Sequence, residues 1–221
     1  MFRLKFLIPL LASLVYADID DVWIRKHAFA AGVDFAFTKG KLNGHSEINS
    51  SEKSEHEEKV ILPKVPFFIV YAFDARALAN AHSIAFNFGL GFPDYEHKPS
   101  EQSGDARYLR LGIEYQYHFF WPGPFRIGTG LGYAFSSMRF PEASFGAEEK
   151  QWSYANFTGN GAHAVISAQY YFTENFAVES AIRPRFLYLN RVATKLNDVS
   201  RLSSGVWQGV GELGLRGMFV F

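Results

Sequence analysis

The fold class expected for this 221-residue chain is all-β: a closed eight-stranded antiparallel transmembrane β-barrel with short periplasmic turns and longer extracellular loops. Three observations predict it. Eight segments alternate apolar and polar residues with a period of two, long and short connections alternate between them, and the chain closes on Leu213-Gly-Leu-Arg-Gly-Met-Phe-Val-Phe221. In that last segment Leu213, Leu215, Phe219 and Phe221 share one face, while Glu212, Arg216 and Met218 share the other, as alternate residues of a strand must. The composition includes 23 Phe, 11 Tyr, 4 Trp and 19 Gly. After residue 17 there is no apolar run of about 20 residues able to cross a bilayer as a helix. A spanning chain without such a helix must satisfy its backbone between strands and close them into a barrel.

Residues 1 to 17 read as a secretory signal peptide. Arg3 and Lys5 precede an apolar run from Phe6 to Val15, and Ala17 offers a small residue for cleavage before Asp18-Ile-Asp-Asp21. The barrel domain is then expected over residues 18 to 221. Basic and acidic residues number 22 each, so removing Arg3 and Lys5 leaves a net charge of minus two. That balance supplies no strong positive field, and no nucleic-acid partner is expected. The chain has no cysteine, which excludes disulfides and thiolate chemistry.

The strands are expected near 28 to 38, 62 to 73, 82 to 92, 107 to 119, 125 to 137, 161 to 172, 176 to 189 and 206 to 221. The first sets Phe29, Val33, Phe35 and Phe37 against Ala30, Gly32, Asp34 and Ala36. The second begins against Pro63 and Pro66, then keeps the rhythm through Phe67, Ile69, Tyr71 and Phe73. The third opposes Ile84, Phe86, Phe88 and Leu90 to Ser83, Ala85, Asn87 and Gly89. In the fourth, Leu109, Leu111, Ile113, Tyr115, Tyr117 and Phe119 alternate with Arg110, Gly112, Glu114, Gln116 and His118. An apolar face of that length matches the roughly 9 to 11 residues needed to cross a bilayer at a tilt.

The fifth strand sets Phe125, Ile127, Leu131, Tyr133 and Phe135 against Arg126 and a run of glycines. The sixth sets Ala162, Ala164, Ile166, Ala168 and Tyr170 against His163, Ser167 and Gln169. The seventh sets Phe176, Val178, Ile182 and Phe186 against Glu179, Arg183 and Arg185. Pro184 interrupts its ladder and predicts an irregular pairing. Links near 74 to 81, 120 to 124 and 173 to 175 are short, and those near 39 to 61, 93 to 106, 138 to 160 and 190 to 205 are longer and more polar. The short links carry turn chemistry in Trp121-Pro-Gly-Pro124 and Thr173-Glu-Asn175. Phe120, Trp121, Phe172, Phe176, Phe219 and Phe221 gather at one set of strand ends, as an interfacial aromatic girdle does, with Tyr71 to Phe73 as an extension.

If the aromatic faces meet lipid, the opposite faces enclose Asp34, Arg110, Glu114, Arg126, Glu179, Arg183, Arg185, Glu212 and Arg216. Eight strands leave room for packed side chains but not for a broad aqueous pore. These groups are therefore expected to form an interior ion-pair network, with Gly89, Gly112, Gly128, Gly130 and Gly132 making space for arginines. The competing expectation is a wet lumen, in which each pair contributes about 1 kcal/mol or less.

Catalytic signals are weak. His163 and Ser167 share a face, but four residues of strand separate their backbones by roughly 13 Å, so they do not form a nucleophile and base pair directly. The loop from Lys41 to Lys59 holds His45, Glu47, Glu52, Glu55, His56, Glu57 and Glu58 without the spacing of an EF-hand or HExxH site. No cofactor, metal site or enzymatic activity is expected.

Over residues 28 to 221 the chain resembles the small bacterial outer-membrane β-barrel proteins, the broad group that includes eight-stranded OmpA-type and OmpW-type barrels. The resemblance implies residence in the cell outer membrane, contact with outer-membrane lipid and lipopolysaccharide, and a monomer. It also implies insertion by the barrel assembly machinery through the terminal aromatic strand, Phe221 with Phe219, Leu215 and Leu213, where Gly217 leaves a gap. The function expected first is that of a structural or surface-binding barrel with a packed charged interior, its loops taking an extracellular ligand. The alternatives are a narrow, porin-like channel for small or apolar solutes and a lipid-modifying enzyme.

Overall fold

The computed structural model describes residues 27–39, 46–49, 58–61, 65–79, 81–95, 106–120, 124–145, 151–194 and 200–221. The expected signal peptide and most of the Lys41 to Lys59 loop lie outside them. Among the described residues ten strands are present: β1 (His27–Lys39), β2 (Ser46–Asn49), β3 (Glu58–Ile61), β4 (Phe67–Ala79), β5 (His82–Gly91), β6 (Arg107–Phe120), β7 (Phe125–Phe145), β8 (Gln151–Tyr171), β9 (Phe176–Thr194) and β10 (Ser200–Val220). Eight of them, β1 and β4 to β10, pair antiparallel in chain order, and β1 returns to pair with β10. The register of that seam runs from Ala28 opposite Val220 to Lys39 opposite Gly209. Closure leaves no free edge in this ring, the condition for spanning lipid with strands. Among the described residues no helix is long and apolar enough to cross a membrane.

Burial runs opposite to that of a water-soluble protein. Phe86, Leu131 and Phe186 are 65 to 70% exposed on the outer face, while Asp34, Arg110 and Arg183 inside are at most 1% exposed. The β6–β7 pair shows how tall the apolar exterior is. Its outward rows are Phe119 with Ile127, Tyr117 with Thr129, Tyr115 with Leu131, Ile113 with Tyr133, Leu111 with Phe135 and Leu109 with Ser137, and the next row is Arg107 with Arg139. Ten residues of strand span about 34 Å, or about 26 Å of height at a tilt near 40°. That equals the hydrocarbon-facing band of such barrels, and the arginines begin where it ends.

The short turns are built from local hydrogen bonds. Thr173 Oγ1 accepts from the Asn175 and Phe176 amides at 3.2 and 3.0 Å, and the Phe172 amide donates to the Phe176 carbonyl at 3.0 Å. Phe172, Phe176, Phe219 and Phe221 are all exposed around this end, with ring centroids 5.9 Å apart for Phe172 and Phe176 and 6.1 Å for Phe219 and Phe221. Trp121 of the expected girdle lies outside the described residues.

Several boundaries differ from expectation. The second wall strand, β4, continues six residues past Phe73, so Tyr71 and Phe73 face lipid at mid-strand and take no part in the girdle. Asp74 and Arg76 have the look of turn residues, yet they sit on inward positions between outward Phe73, Ala75 and Ala77. The segment expected as a loop over 138 to 160 is mostly strand, because β7 and β8 extend to Phe145 and back from Gln151. Its outward faces turn polar once past the lipid band, which disguises the alternation. The first loop contributes β2 and β3, which pair with each other and join β10 to β7 at their extracellular ends. The long strands thus close a second ring of pairings through this hairpin. At Pro184, the β8–β9 ladder pairs His163 with Arg185 and resumes at Ile166 with Ile182, the irregularity expected where an amide hydrogen is missing.

Tight coiling of the barrel brings neighbouring backbones under inward glycines. A Cβ on Gly130 would overlap the Tyr115 carbonyl oxygen, whereas one on outward Gly211 meets only the Phe37 carbonyl at 4.0 Å. Gly130→Val is therefore expected to abolish or sharply reduce the heat-dependent shift in electrophoretic mobility of the folded barrel, while Gly211→Ala retains it.

Candidate functional site

The barrel interior holds an apolar cluster toward each end and charged groups between them. Toward the extracellular end an apolar cluster includes Val65, Phe68, Tyr95, Tyr108, Met138, Phe140, Phe157 and Leu189, each at most 4% exposed. Toward the short-turn end a second cluster holds Ala28, Ala30, Leu78, Ala177, Met218 and Val220. Between them lie five carboxylates, Asp34, Asp74, Glu114, Glu179 and Glu212, and five guanidinium groups, Arg76, Arg110, Arg183, Arg185 and Arg216, all buried. Alternation on β1, β4, β6, β9 and β10 delivers these groups to the same middle layer.

They form one connected chain of pairs. Glu212 accepts from Arg185 Nη2 at 3.1 Å and from Arg110 Nη1 at 2.6 Å. Arg110 Nη2 donates to Asp34 at 2.7 Å, and Arg216 Nη2 donates to both Asp34 oxygens at 2.8 and 2.7 Å. Arg216 also donates to Asp74, which accepts from Arg76 at 2.8 Å. Arg76 continues to Glu179 through two bonds of 2.6 and 2.8 Å. Arg183 closes the sequence, donating to Glu114 from Nε at 2.9 Å and to Glu179 from Nη2 at 3.4 Å, with Nη1 4.0 Å from Asp34. Equal numbers of opposite charges, each within reach of a partner, offset the several kcal/mol that desolvation costs per ion.

Of the nine residues singled out in the sequence, eight lie in this chain of pairs. Arg126 points inward nearer the short-turn end, its guanidinium 4.1 Å over the Tyr171 ring, a cation–π arrangement. Sequence reasoning missed Asp74 and Arg76; the continued alternation through Ala75, Ala77 and Ala79 was the signal that could have placed them. The glycines divide their work differently from expectation. Gly89 makes room for Arg110, but Gly132 accommodates the His163 ring, Gly128 accommodates Ser167 and Gln116, and Gly130 accommodates backbone.

Neutral polar groups extend the network downward. Glu114 accepts from Gln116 Nε2 at 2.6 Å and lies 2.9 Å from His163 Nε2, and Ser167 Oγ donates to Gln116 at 2.7 Å. Glu179 accepts from Gln169 at 2.8 Å. Ser83 Oγ and His118 Nε2 are 2.9 Å apart, the distance of a serine and its base, but the two residues are only 3% and 1% exposed inside the barrel. Among the described residues no cluster of His, Asp or Glu is arranged to hold a metal ion.

Asp34 pairs with two arginines at hydrogen-bond distance, whereas Arg185 meets the network through Nη2 alone, with Nε and Nη1 unbonded. Asp34→Asn is therefore expected to lower unfolding free energy by about 3 to 5 kcal/mol, the penalty for breaking a buried pair, and Arg185→Met by less than half as much. Ser180→Ala, on the lipid face, should change it by under about 0.5 kcal/mol. In urea unfolding of barrels folded into vesicles, raising salt from 0.1 to 1 M should leave the wild-type midpoint in place. A salt-sensitive midpoint would indicate the screened charges of a wet lumen.

No protein-family profile matches the chain, and no curated protein is significantly similar to it. Solved structures do match. Outer membrane protein OprG from Pseudomonas aeruginosa superposes with a TM-score of 0.55 at 12% identity, over 89% of this chain and 96% of that one. Neisserial surface protein A aligns over 88% of this chain and 99% of its own at 17% identity with a TM-score of 0.48. Ail of Yersinia pestis aligns over 89% and 99% at 11% identity with a TM-score of 0.47. The OprG superposition and the inverted burial agree on the architecture: this chain has the closed eight-stranded antiparallel fold of the small outer-membrane barrels.

Proposed function

We propose that the protein is an outer-membrane barrel with a sealed lumen, a structural and surface-binding component that neither conducts solutes nor catalyses a reaction. The observation that carries this reading is the packed interior: an apolar cluster at the extracellular end, an ion-paired layer below it, and at the short-turn end a smaller apolar cluster on β1, β4, β9 and β10 beside buried polar groups of β5 to β8. A solute on the barrel axis would have to displace packed aromatics such as Phe140 and Phe157, whose rings are 5.9 Å apart, and then separate buried ion pairs. The first step costs apolar burial and the second exposes unpaired charge.

Binding is assigned to the extracellular end. Strands β7, β8 and β10 each reach 21 residues, about twice the roughly 9 to 11 that lipid requires, and the β2–β3 hairpin ties β7 to β10 there. Such extensions give loops a firm base, which favours an extracellular ligand held by this end. A non-enzymatic role is supported by the engagement of Ser167 with Gln116 and of His163 with Glu114. A monomer is in keeping with a ring whose strand pairings are satisfied within one chain.

The purified full chain in planar bilayers is expected to give no steady conductance above that of protein-free membrane, and no flux of small sugars or amino acids in loaded vesicles. Reproducible single-channel steps or solute release would overturn the sealed-lumen reading.

A further inference from the structure

The buried series of ion pairs has two ends, and they are finished differently. Charges alternate along it from Arg185 and Glu212 at one end to Arg183 and Glu114 at the other. At the carboxylate end Glu114 is saturated, because Gln116 and His163 join Arg183 around its two oxygens. At the guanidinium end Arg185 has a single bond, 3.1 Å to a Glu212 oxygen that Arg110 already holds at 2.6 Å. The Nε and Nη1 atoms of Arg185 have no partner, although its side chain is 1% exposed.

Further unpartnered atoms surround that end. Gln208 and Glu212 stand on β10 on either side of Val210, the residue opposite Arg185, and His163 is opposite Arg185 on β8. Both amide atoms of Gln208, Oε1 of Glu212 and Nδ1 of His163 are buried and unbonded. Four residues on three neighbouring strands thus bring six unbonded polar atoms to one part of the lumen. Elsewhere in the series each unbonded atom stands alone on a side chain that has other partners, as Nε does on Arg76, Arg110 and Arg216. Gln208 is the telling member. Its register partner Leu187 and its neighbour Val210 belong to the extracellular apolar cluster, where an amide with neither function engaged is costly.

The donors in this group are Arg185 Nε and Nη1 and the Gln208 amide nitrogen, a set suited to a carboxylate. The acceptors are Gln208 Oε1, Glu212 Oε1 and, in the tautomer that donates from Nε2 to Glu114, His163 Nδ1. They call for a hydrogen-bond donor on the same guest. A hydroxyl supplies it without placing a second cation beside Arg185. We propose that the lumen beneath the extracellular apolar cluster binds one small α-hydroxy carboxylate. Arg185 and Gln208 Nε2 hold its carboxylate, Gln208 Oε1 accepts from its hydroxyl, and its charge caps the guanidinium that the series leaves half-paired. Val65 and Tyr95 of the covering cluster lie outside the wall strands, just before β4 and after β5, so the guest exchanges past loops while the wall stays closed. The inference rests on the packed ionic interior and adds to it a ligand that is bound and not conducted.

The test folds the full chain into vesicles in sodium glycolate, acetate or chloride at matched ionic strength and unfolds it in urea. A guest bound by the folded barrel alone lowers the unfolding equilibrium constant about tenfold for each tenfold rise in its concentration above Kd. Glycolate should do so. Acetate lacks the hydroxyl and should bind about fivefold more weakly, the worth of one hydrogen bond, and chloride should leave the midpoint in place. Q208L should erase the preference for glycolate over acetate, R185M should remove the response to both, and S180A should behave as the wild type. Equal responses to glycolate and acetate, a glycolate preference kept by Q208L, or a wild-type response in R185M would each overturn the proposal. A midpoint that moves with neither glycolate nor chloride refutes this site alone, whereas one that moves with chloride refutes the dry ionic interior as well. Heat-dependent mobility of every sample, measured in parallel, confirms that each variant has folded.

Discussion

Burying ten ionised side chains in the middle of a narrow barrel is the constraint on which the rest of this structure depends. Lipid outside requires apolar outward faces, so each polar residue of the alternating strands must face the lumen. With eight strands the lumen is too narrow for bulk water, and the charges must satisfy one another. They do so in a continuous series from Arg185 and Glu212 to Glu114, with Asp34 bridging strands on opposite sides of the ring. The series ties β1, β4, β6, β9 and β10 together through the interior, where the backbone ladders tie only neighbours. Specification of one register follows, because a one-residue slip would turn arginines toward lipid.

Local sequence choices serve that centre. Glycine at 89 and 132 admits the Arg110 and His163 side chains, and glycine at 130 lets the β6 backbone tuck beneath β7. The apolar clusters above and below cap the charged layer and keep its dielectric low, which strengthens every pair within it. The extended strands and the β2–β3 hairpin at the extracellular end are the surface on which the proposed binding role rests.

Much of this architecture was legible in the chain because a period of two is a strong signal when each strand separates lipid from lumen. The eight wall strands and eight of the ten buried charges could be placed from alternation alone. Reading failed where chemistry and geometry diverged. Asp74 and Arg76 resemble a turn because charge ordinarily marks contact with water, although inside this barrel it marks the core. The extensions of β7 and β8 are hidden for the complementary reason: above the lipid band their outward faces turn polar, while inward Met138, Phe140, Ala155 and Phe157 are apolar, the reverse of the pattern within it. Which carboxylate meets which arginine was not legible, because pairing across the lumen depends on barrel closure and not on distance along the chain. The Arg107 and Arg139 row was likewise hidden until the β6–β7 register set them face to face.

A double-mutant cycle on Arg76 and Glu179 tests the buried network most directly, because two hydrogen bonds of 2.6 and 2.8 Å join them across the lumen. Unfolding free energies of R76M, E179Q and the double variant, measured in vesicles, give their coupling. A coupling of about 3 kcal/mol or more, with the double variant far less destabilised than the two single changes added together, is expected of a desolvated pair. A coupling under about 1 kcal/mol, the range of solvated pairs, would contradict it and replace the packed ionic core with a hydrated lumen.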